Sequence, residues 1–435
     1  MENVNKDVRG DIQGIRGLAV FLVLAYHSGL ILPGGFIGVD VFFVVSGFVI
    51  TKVLTDELLL TGQVNLRSFY LRRVKRLLPS LALVTLITVA LSLLVLSPFG
   101  AQQDLLSSSR ATSLFGANYY FMLQDSYENL VSNPLRHMWS LSVEEQFYLL
   151  FPFLALIVGN ISKKKSGSAL NVLSLITLII GFLSFLLCYG LSDGRASRLI
   201  AEIFQTTPEV VAFFSMPTRV WEFAAGIFAY AIWKDKRALL EKYATLVCFL
   251  GVCAITWSAF FLKPGEAFPG LAATVPVIST LVLLVFGSSS LFIQRVFASR
   301  IAVLSGDISY SLYLWHWPLI VFADVLWPSN VAAKPIAAVF SVFPAFASYR
   351  YFEDPLRKNL KLSDGRVLAV GVLCIVLPIF VTSVGENLNL SIQNHLNDLK
   401  VGWVEKRSAV VDGCYGKIFK EWKDANCITY TNSSN

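Results

Sequence analysis

Long apolar runs separated by short polar breaks dominate the chain. Eleven stretches have a membrane-spanning length: 12–32, 36–56, 78–97, 142–160, 169–190, 217–233, 243–262, 271–287, 308–326, 331–349 and 366–385. About 20 apolar residues in a helix cross the hydrocarbon core of a bilayer, and a helix satisfies its own backbone there. The pattern predicts an all-α polytopic membrane protein with about eleven transmembrane helices. The breaks set its orientation. Basic residues collect in 57–77 (Arg67, Arg72, Arg73, Lys75, Arg76), 161–168 (Lys163, Lys164, Lys165), 234–242 (Lys234, Lys236, Arg237, Lys242), 288–307 (Arg295, Arg300) and 350–365 (Arg350, Arg357, Lys358, Lys361). The alternate breaks are poor in Lys and Arg, so the positive-inside rule predicts a cytoplasmic N-terminus and an extracytoplasmic C-terminus. Segment 12–32 lacks a small-residue cleavage site and leads straight into the next run, so no cleavable signal peptide is expected. The long outer break 98–141 holds a half-apolar stretch, 105–123, that reads as a short re-entrant or interfacial helix. From Glu386 onward the composition turns polar.

Composition agrees with this reading. Of the 435 residues, 55% are hydrophobic, and the mean hydropathy is +0.62. The net charge of +7 sits in alternate loops, which fits topology and excludes nucleic acid as a partner. Cys188, Cys248, Cys253 and Cys374 fall in apolar runs and read as small core residues. Cys414 and Cys427 fall in the polar tail, where an extracytoplasmic location predicts a disulfide between them. There is no CxxC or HExxH pattern, and no metal is expected. No sustained internal repeat supports a carrier built on inverted repeats.

The first apolar run carries the most informative chemistry. Arg16 and His27 both lie within it, and an ionisable residue inside a membrane span is a functional-site signal. Their separation along a helix is roughly 16 Å, about three turns, so both face similar ways. Other titratable groups enter at overlapping depth. Asp40 lies early in the second run, Glu144 and Glu145 open the fourth, Arg219 and Glu222 open the sixth, and Tyr313 and His316 sit in the ninth. Each has a plainer reading. His27 suits a hydrogen-bonded core histidine, and Asp40, Glu144 and Glu145 suit favourable acids at helix starts. Ser140 resembles a cap for one of the glutamates. Arg219 and Glu222 are spaced to pair with each other, and His316 lies between tryptophans, as in an aromatic belt. Their coincidence at one depth favours a shared polar cavity. The segment RSFYLRRVKRLLP fits topology and anionic-lipid contact. It also fits a phosphate site, with Arg72, Arg73 and Arg76 joining Arg16 at a cytoplasmic mouth and Arg72 and Arg76 sharing a helix face.

Six stretches, in order, resemble the bacterial membrane acyltransferase-3 family, which O-acetylates cell-surface glycans. They are DIQGIRGLAVFLVLAYH, PGGFIGVDVFFVVSGFVIT, FYLRRVKRLLP, HMWSLSVEEQFYLLFP, TRVWEFAAG, and ISYSLYLWHWP with FEDPLRK after it. The resemblance spans about residues 9–358. It implies a multi-pass protein of the bacterial cytoplasmic (inner) membrane. Its acyl-CoA donor, usually acetyl-CoA, would enter from the cytoplasm and its surface-glycan acceptor, such as lipopolysaccharide O-antigen, would lie outside. Arg16, Arg72, Arg73 and Arg76 would hold the coenzyme phosphates. His27 would act as general base or be transiently acylated, and Glu144 or Glu145 would orient it. Asp40 joins these catalytic candidates and is also a cavity-wall candidate. Arg219, Glu222, Tyr313 and His316 would line the substrate cavity.

The resemblance also implies a division into an acyltransferase transmembrane domain of ten spans (9–360), an eleventh span (361–385) and an extracytoplasmic linker (386–435). That layout resembles the subfamily fused to an SGNH hydrolase-like domain. Its serine block and later Asp-x-x-His do not occur in this sequence, so that domain is expected in trans or beyond a truncated end. The rival readings are a proton-coupled solute transporter or glycan flippase, and a membrane anchor for a separate outer enzyme.

Overall fold

The computed structural model describes residues 9–30, 32–61, 63–98, 100–124, 133–162, 169–193, 206–236, 241–265, 268–358 and 362–398. The regular elements among the described residues are helices, and the α-helices in chain order are α1 (Gly10–His27), α2 (Gly38–Thr61), α3 (Leu66–Val95), α4 (Ala101–Ser113), α5 (Ala117–Leu123), α6 (Met138–Ser162), α7 (Ala169–Ser192), α8 (Pro208–Phe214), α9 (Val220–Lys236), α10 (Ala244–Phe261), α11 (Thr274–Phe286), α12 (Leu291–Phe297), α13 (Arg300–Asp307), α14 (Ser309–Leu326), α15 (Ala333–Phe340), α16 (Val342–Ser348), α17 (Asp354–Lys358) and α18 (Asp364–Asp398). Helix starts follow local chemistry. The Asn65 side chain accepts from the Ser68 N–H at the head of α3, and Ser290 and Ser299 do the same for α12 and α13, satisfying donors a helix start otherwise leaves open.

Helices occur at all eleven predicted positions, but they are not equivalent. Among the described residues, seven are long and apolar enough to cross a membrane: Gly35–Leu58, Leu66–Val95, Met138–Val158, Leu170–Ser192, Ala244–Phe261, Leu271–Ser289 and Asp364–Ser391. The runs at 12–32, 217–233 and 308–326 form α1, α9 and α14, of 18, 17 and 18 residues. The run at 331–349 breaks at Ser341 into α15 and α16 and ends in a wide π-turn, Tyr349–Glu353. Lipid-type exposure marks the periphery. Leu175, Ile179, Phe182 and Leu186 of α7 are exposed along one face, where their contact in a bilayer is hydrocarbon.

The stretch 105–123 divides into α4 and α5. The break expected at Glu386 does not occur, and α18 runs on to Asp398. Its polar end docks on α4. Arg110 pairs with Glu386 at 2.6 Å, and Asn389 donates to Gln102 Oε1 at 2.7 Å. Residues expected in the linker thus pair with polar groups of the break 98–141, the buried Gln102 among them. Cys414 and Cys427 lie outside the described residues, as do Lys163, Lys164, Lys165, Arg237 and Lys361.

The functional core forms where α1, α2, α3, α6, α9 and α14 meet. The crossing of α2 and α9 relies on two glycines. A side chain at Gly47 would strike the carbonyl of Phe223, and one at Gly226 would strike the carbonyl of Val44. Small residues let helices in a membrane approach closely. Asp40 lies seven residues before Gly47, and Arg219 seven before Gly226. This close approach therefore brings the polar heads of the two helices together about two turns away.

Candidate functional site: two chambers joined at Tyr313

Two polar chambers lie between these helices. The first is lined by Arg16 of α1, Ser46 of α2, Arg73 and Arg76 of α3, Glu144, Glu145 and Tyr148 of α6, and Ser309 and Tyr310 of α14. The second is lined by His27 of α1, Asp40 of α2, Arg136 and His137 just before α6, and Arg219 and Trp317. Tyr313 and Val39 line both. They are called the arginine chamber and the histidine chamber below. Helix α1 reaches from one to the other.

In the arginine chamber, charges are held but not all are paired. Arg16 Nη1 donates to Gln13 Oε1 at 3.0 Å. The Arg73 guanidinium lies 3.4 Å from the centre of the Tyr148 ring. Glu144 Oε1 accepts from Ser46 Oγ at 2.5 Å and from Tyr148 Oη at 2.6 Å. Arg76 Nε and Glu145 Oε1 are buried without a hydrogen-bond partner. Buried donors and acceptors are normally satisfied, so this chamber offers groups to a ligand bearing both anionic and polar atoms. Glu353, at the end of the π-turn, accepts from Ser311 Oγ at 3.0 Å. Burial raises its carboxyl above the usual range, while Arg76 and Arg16 pull the other way.

In the histidine chamber, three of the four histidines in the sequence cluster. His27 Nδ1 is 3.0 Å from His316 Nε2, with the rings 7° from parallel. His137 packs edge-on to His316 with ring centres 5.3 Å apart. Beside them lies a buried ionic triad. Arg219 Nη2 donates to Asp40 Oδ1 at 3.0 Å, and Arg219 Nε is 3.1 Å from Glu222 Oε1, with all three side chains at most 1% exposed. Phe43, Trp139, Phe213 and Phe268 surround the guanidinium, so two carboxylates and four aromatic rings hold one buried cation.

Several sequence expectations change here. Arg16, Arg73 and Arg76 converge, but Arg72 does not line the chamber. It is exposed, bonded to Ser68 Oγ at 2.5 Å and paired with Glu57 at 3.0 Å. Helix α3 thus presents Arg73 and Arg76, three apart, instead of the stripe Arg72–Arg76. Glu144 and Glu145 face the arginines, and the partner of His27 is His316. Asp40, Arg219 and Glu222 form one triad, and Tyr313 stands on the boundary. His137, Tyr148 and Glu353 were not singled out from sequence. His137 had a signal, since it precedes the same apolar run as Glu144. Among the described residues, no group of three or more His, Cys, Asp or Glu side chains is arranged to hold a metal ion.

The sequence that builds these two chambers matches a known family. The family model described as an acyltransferase domain matches residues 9–350, and the chain belongs to this acyltransferase-3 family. It is similar to the O-acetyltransferase OatA of Staphylococcus aureus (strain NCTC 8325 / PS 47), 27% identical over 362 residues, covering 80% of this chain and 57% of that protein. A provisionally named O-acetyltransferase of Staphylococcus aureus (strain COL) is 30% identical over 368 residues, with the same shares covered. The chain thus spans little more than half the length of these relatives. No solved structure matches it.

Proposed function

We propose that the chain is a transmembrane O-acyltransferase, most simply an O-acetyltransferase, of the bacterial cytoplasmic membrane. In this reading it has eleven spans, with its N-terminus in the cytoplasm and its C-terminus outside. Residues 9–360 form the acyltransferase domain, the last span continues as one helix to Asp398, and the residues after it form an extracytoplasmic linker in which Cys414 and Cys427 pair. The donor is acetyl-CoA. Its phosphates sit on Arg16, Arg73 and Arg76, and its acyl end reaches toward Tyr313. The acceptor is a surface-glycan hydroxyl, as in lipopolysaccharide O-antigen. An SGNH-like domain, in cis or in trans, takes part in passing the acyl group to it.

The observation that carries this reading is the path of α1. Arg16 lines the arginine chamber, His27 lines the histidine chamber, and Tyr313 borders both. Guanidinium groups suit phosphates, and an imidazole suits proton transfer from a hydroxyl near neutral pH. During transfer the acceptor oxygen bonds to the acyl carbon, the thioester C–S bond breaks, and the hydroxyl proton passes through His27 to the CoA sulfur. The test compares binding of acetyl-CoA with binding of acetyl-pantetheine, which lacks the nucleotide phosphates. Arg76→Gln is expected to weaken only the former. Equal weakening of both contradicts the phosphate assignment.

A further inference from the structure

The two ring nitrogens of a histidine are distinct, and the partner of one fixes the state of the other. His316 Nδ1 lies 2.7 Å from the backbone carbonyl oxygen of Tyr313. A carbonyl oxygen only accepts, so Nδ1 carries the proton of the neutral His316 ring. Its Nε2 is then a lone-pair nitrogen, and it faces His27 Nδ1 at 3.0 Å. His27 Nδ1 must therefore be the donor in that contact. Nε2 is left as the unprotonated nitrogen of His27, a residue that lines the histidine chamber. The geometry supports an in-plane bond: the rings are within 7° of parallel with centres 5.2 Å apart, so with the two nitrogens 3.0 Å apart they meet edge to edge. His316 is fully buried, so water does not compete for its Nε2. Trp317 packs on His27 with ring centres 4.5 Å apart, which restricts ring rotation.

We infer that His316 is the positioning residue of the acyl-transfer site. It sets the tautomer of His27 so that Nε2 receives the proton of the acceptor hydroxyl. The chain of bonds runs from the Tyr313 carbonyl through His316 to His27, within one turn of α14 and the end of α1. A neutral imidazole thus does the orienting that a carboxylate does in many acyl-transfer sites, without adding a charge inside the membrane. The inference rests on the reading of His27 as general base. Each transfer stays balanced: the ester C–O bond forms, the thioester C–S bond breaks, and the proton moves from hydroxyl to His27 Nε2 and then to the CoA sulfur.

Two variants separate orientation from packing. His316→Phe keeps an aromatic ring beside His27 but offers no acceptor. His316→Gln places an amide oxygen near the position of Nε2, where it accepts from His27 Nδ1. With acetyl-CoA as donor and free CoA as readout, kcat is expected to fall by about 10²–10⁴-fold in His316→Phe, the range of a general-base contribution. In His316→Gln it should stay within about tenfold of wild type, with KM for acetyl-CoA little changed in both. Nitrogen-15 spectra of histidine-labelled wild-type protein read the tautomer without any turnover, and are expected to show His27 protonated at Nδ1. A His27 ring protonated at Nε2 overturns the inference. So does a His316→Phe protein that turns over like wild type, or a His316→Gln protein that stays folded yet is no better than His316→Phe. An Nδ1-protonated His27 in a protein that never turns over acetyl-CoA overturns the acyltransferase reading and supports the tautomer assignment.

Discussion

The hydroxyl of Tyr313 meets the hydroxyl of Ser140 at 2.5 Å, at the boundary of the arginine chamber and the histidine chamber. The same tyrosine hydroxyl donates to the His137 carbonyl at 3.0 Å. The ring therefore stands between the two chambers and is pinned from the α6 side. An acyl group passing from one chamber to the other must pass this side chain.

Removing the ring should change donor choice. Tyr313→Ala opens the boundary by the volume of a phenol and should raise butyryl-CoA turnover relative to acetyl-CoA by roughly tenfold, from two extra methylenes at about 0.8 kcal/mol each. Tyr313→Phe keeps the ring, loses the two hydroxyl contacts at about 1 kcal/mol each, and should keep acetyl preference with lower thermal stability in detergent. Unchanged selectivity in Tyr313→Ala would place the acyl path elsewhere.

The basic cluster on α3 divides by geometry. Arg73 and Arg76 line the chamber, and Arg72 is exposed and paired with Glu57. Arg76→Gln should weaken CoA binding by about tenfold or more, the range for a charged hydrogen bond of about 1.5–3 kcal/mol. Arg72→Gln should leave affinity nearly unchanged, since it removes only an exposed pair. Calorimetric titration of purified protein measures both. A larger loss in Arg72→Gln would reverse the assignment.

The triad of Asp40, Arg219 and Glu222 predicts an asymmetric response. Arg219→Met leaves two buried carboxylates facing each other without their cation. Breaking a buried pair in this way costs about 3–5 kcal/mol, so little folded protein should survive extraction. Asp40→Asn still accepts from Arg219 and keeps the Arg219–Glu222 pair, so its elution profile should stay monodisperse. Normal thermal stability of Arg219→Met would show that the triad contributes little to the fold.

These contacts explain what could be read from the chain. Helix positions were legible because long apolar runs need no tertiary context. So was the pairing of Arg16 and His27 on one helix, because both lie in one run. Facing was less legible. Helix α3 is apolar around most of its circumference and basic around its start, so nothing in its pattern separates Arg72 from Arg73. Glu144 and Glu145 were expected beside His27 because run starts were treated as level. They lie a full turn past Ser140, on the far side of Tyr313, where Ser46 and Tyr148 hold Glu144 and both glutamates line one chamber with the arginines. The Asp40–Arg219 contact joins residues 179 positions apart and depends on the Gly47–Gly226 crossing. The partnership of His27 with His316 is equally non-local. The run at 331–349 was expected as a single span, but it breaks at Ser341 and ends in a π-turn that places Glu353 against Ser311.

The most direct test of the central claim is acetyl-CoA turnover by the purified protein in detergent, following release of free CoA, with His27→Ala as the comparison. The account predicts release by wild type and a loss of about 10²–10⁴-fold in His27→Ala, with the variant still folded and still binding acetyl-CoA. Equal turnover by the two proteins would contradict the assignment of His27 as the base.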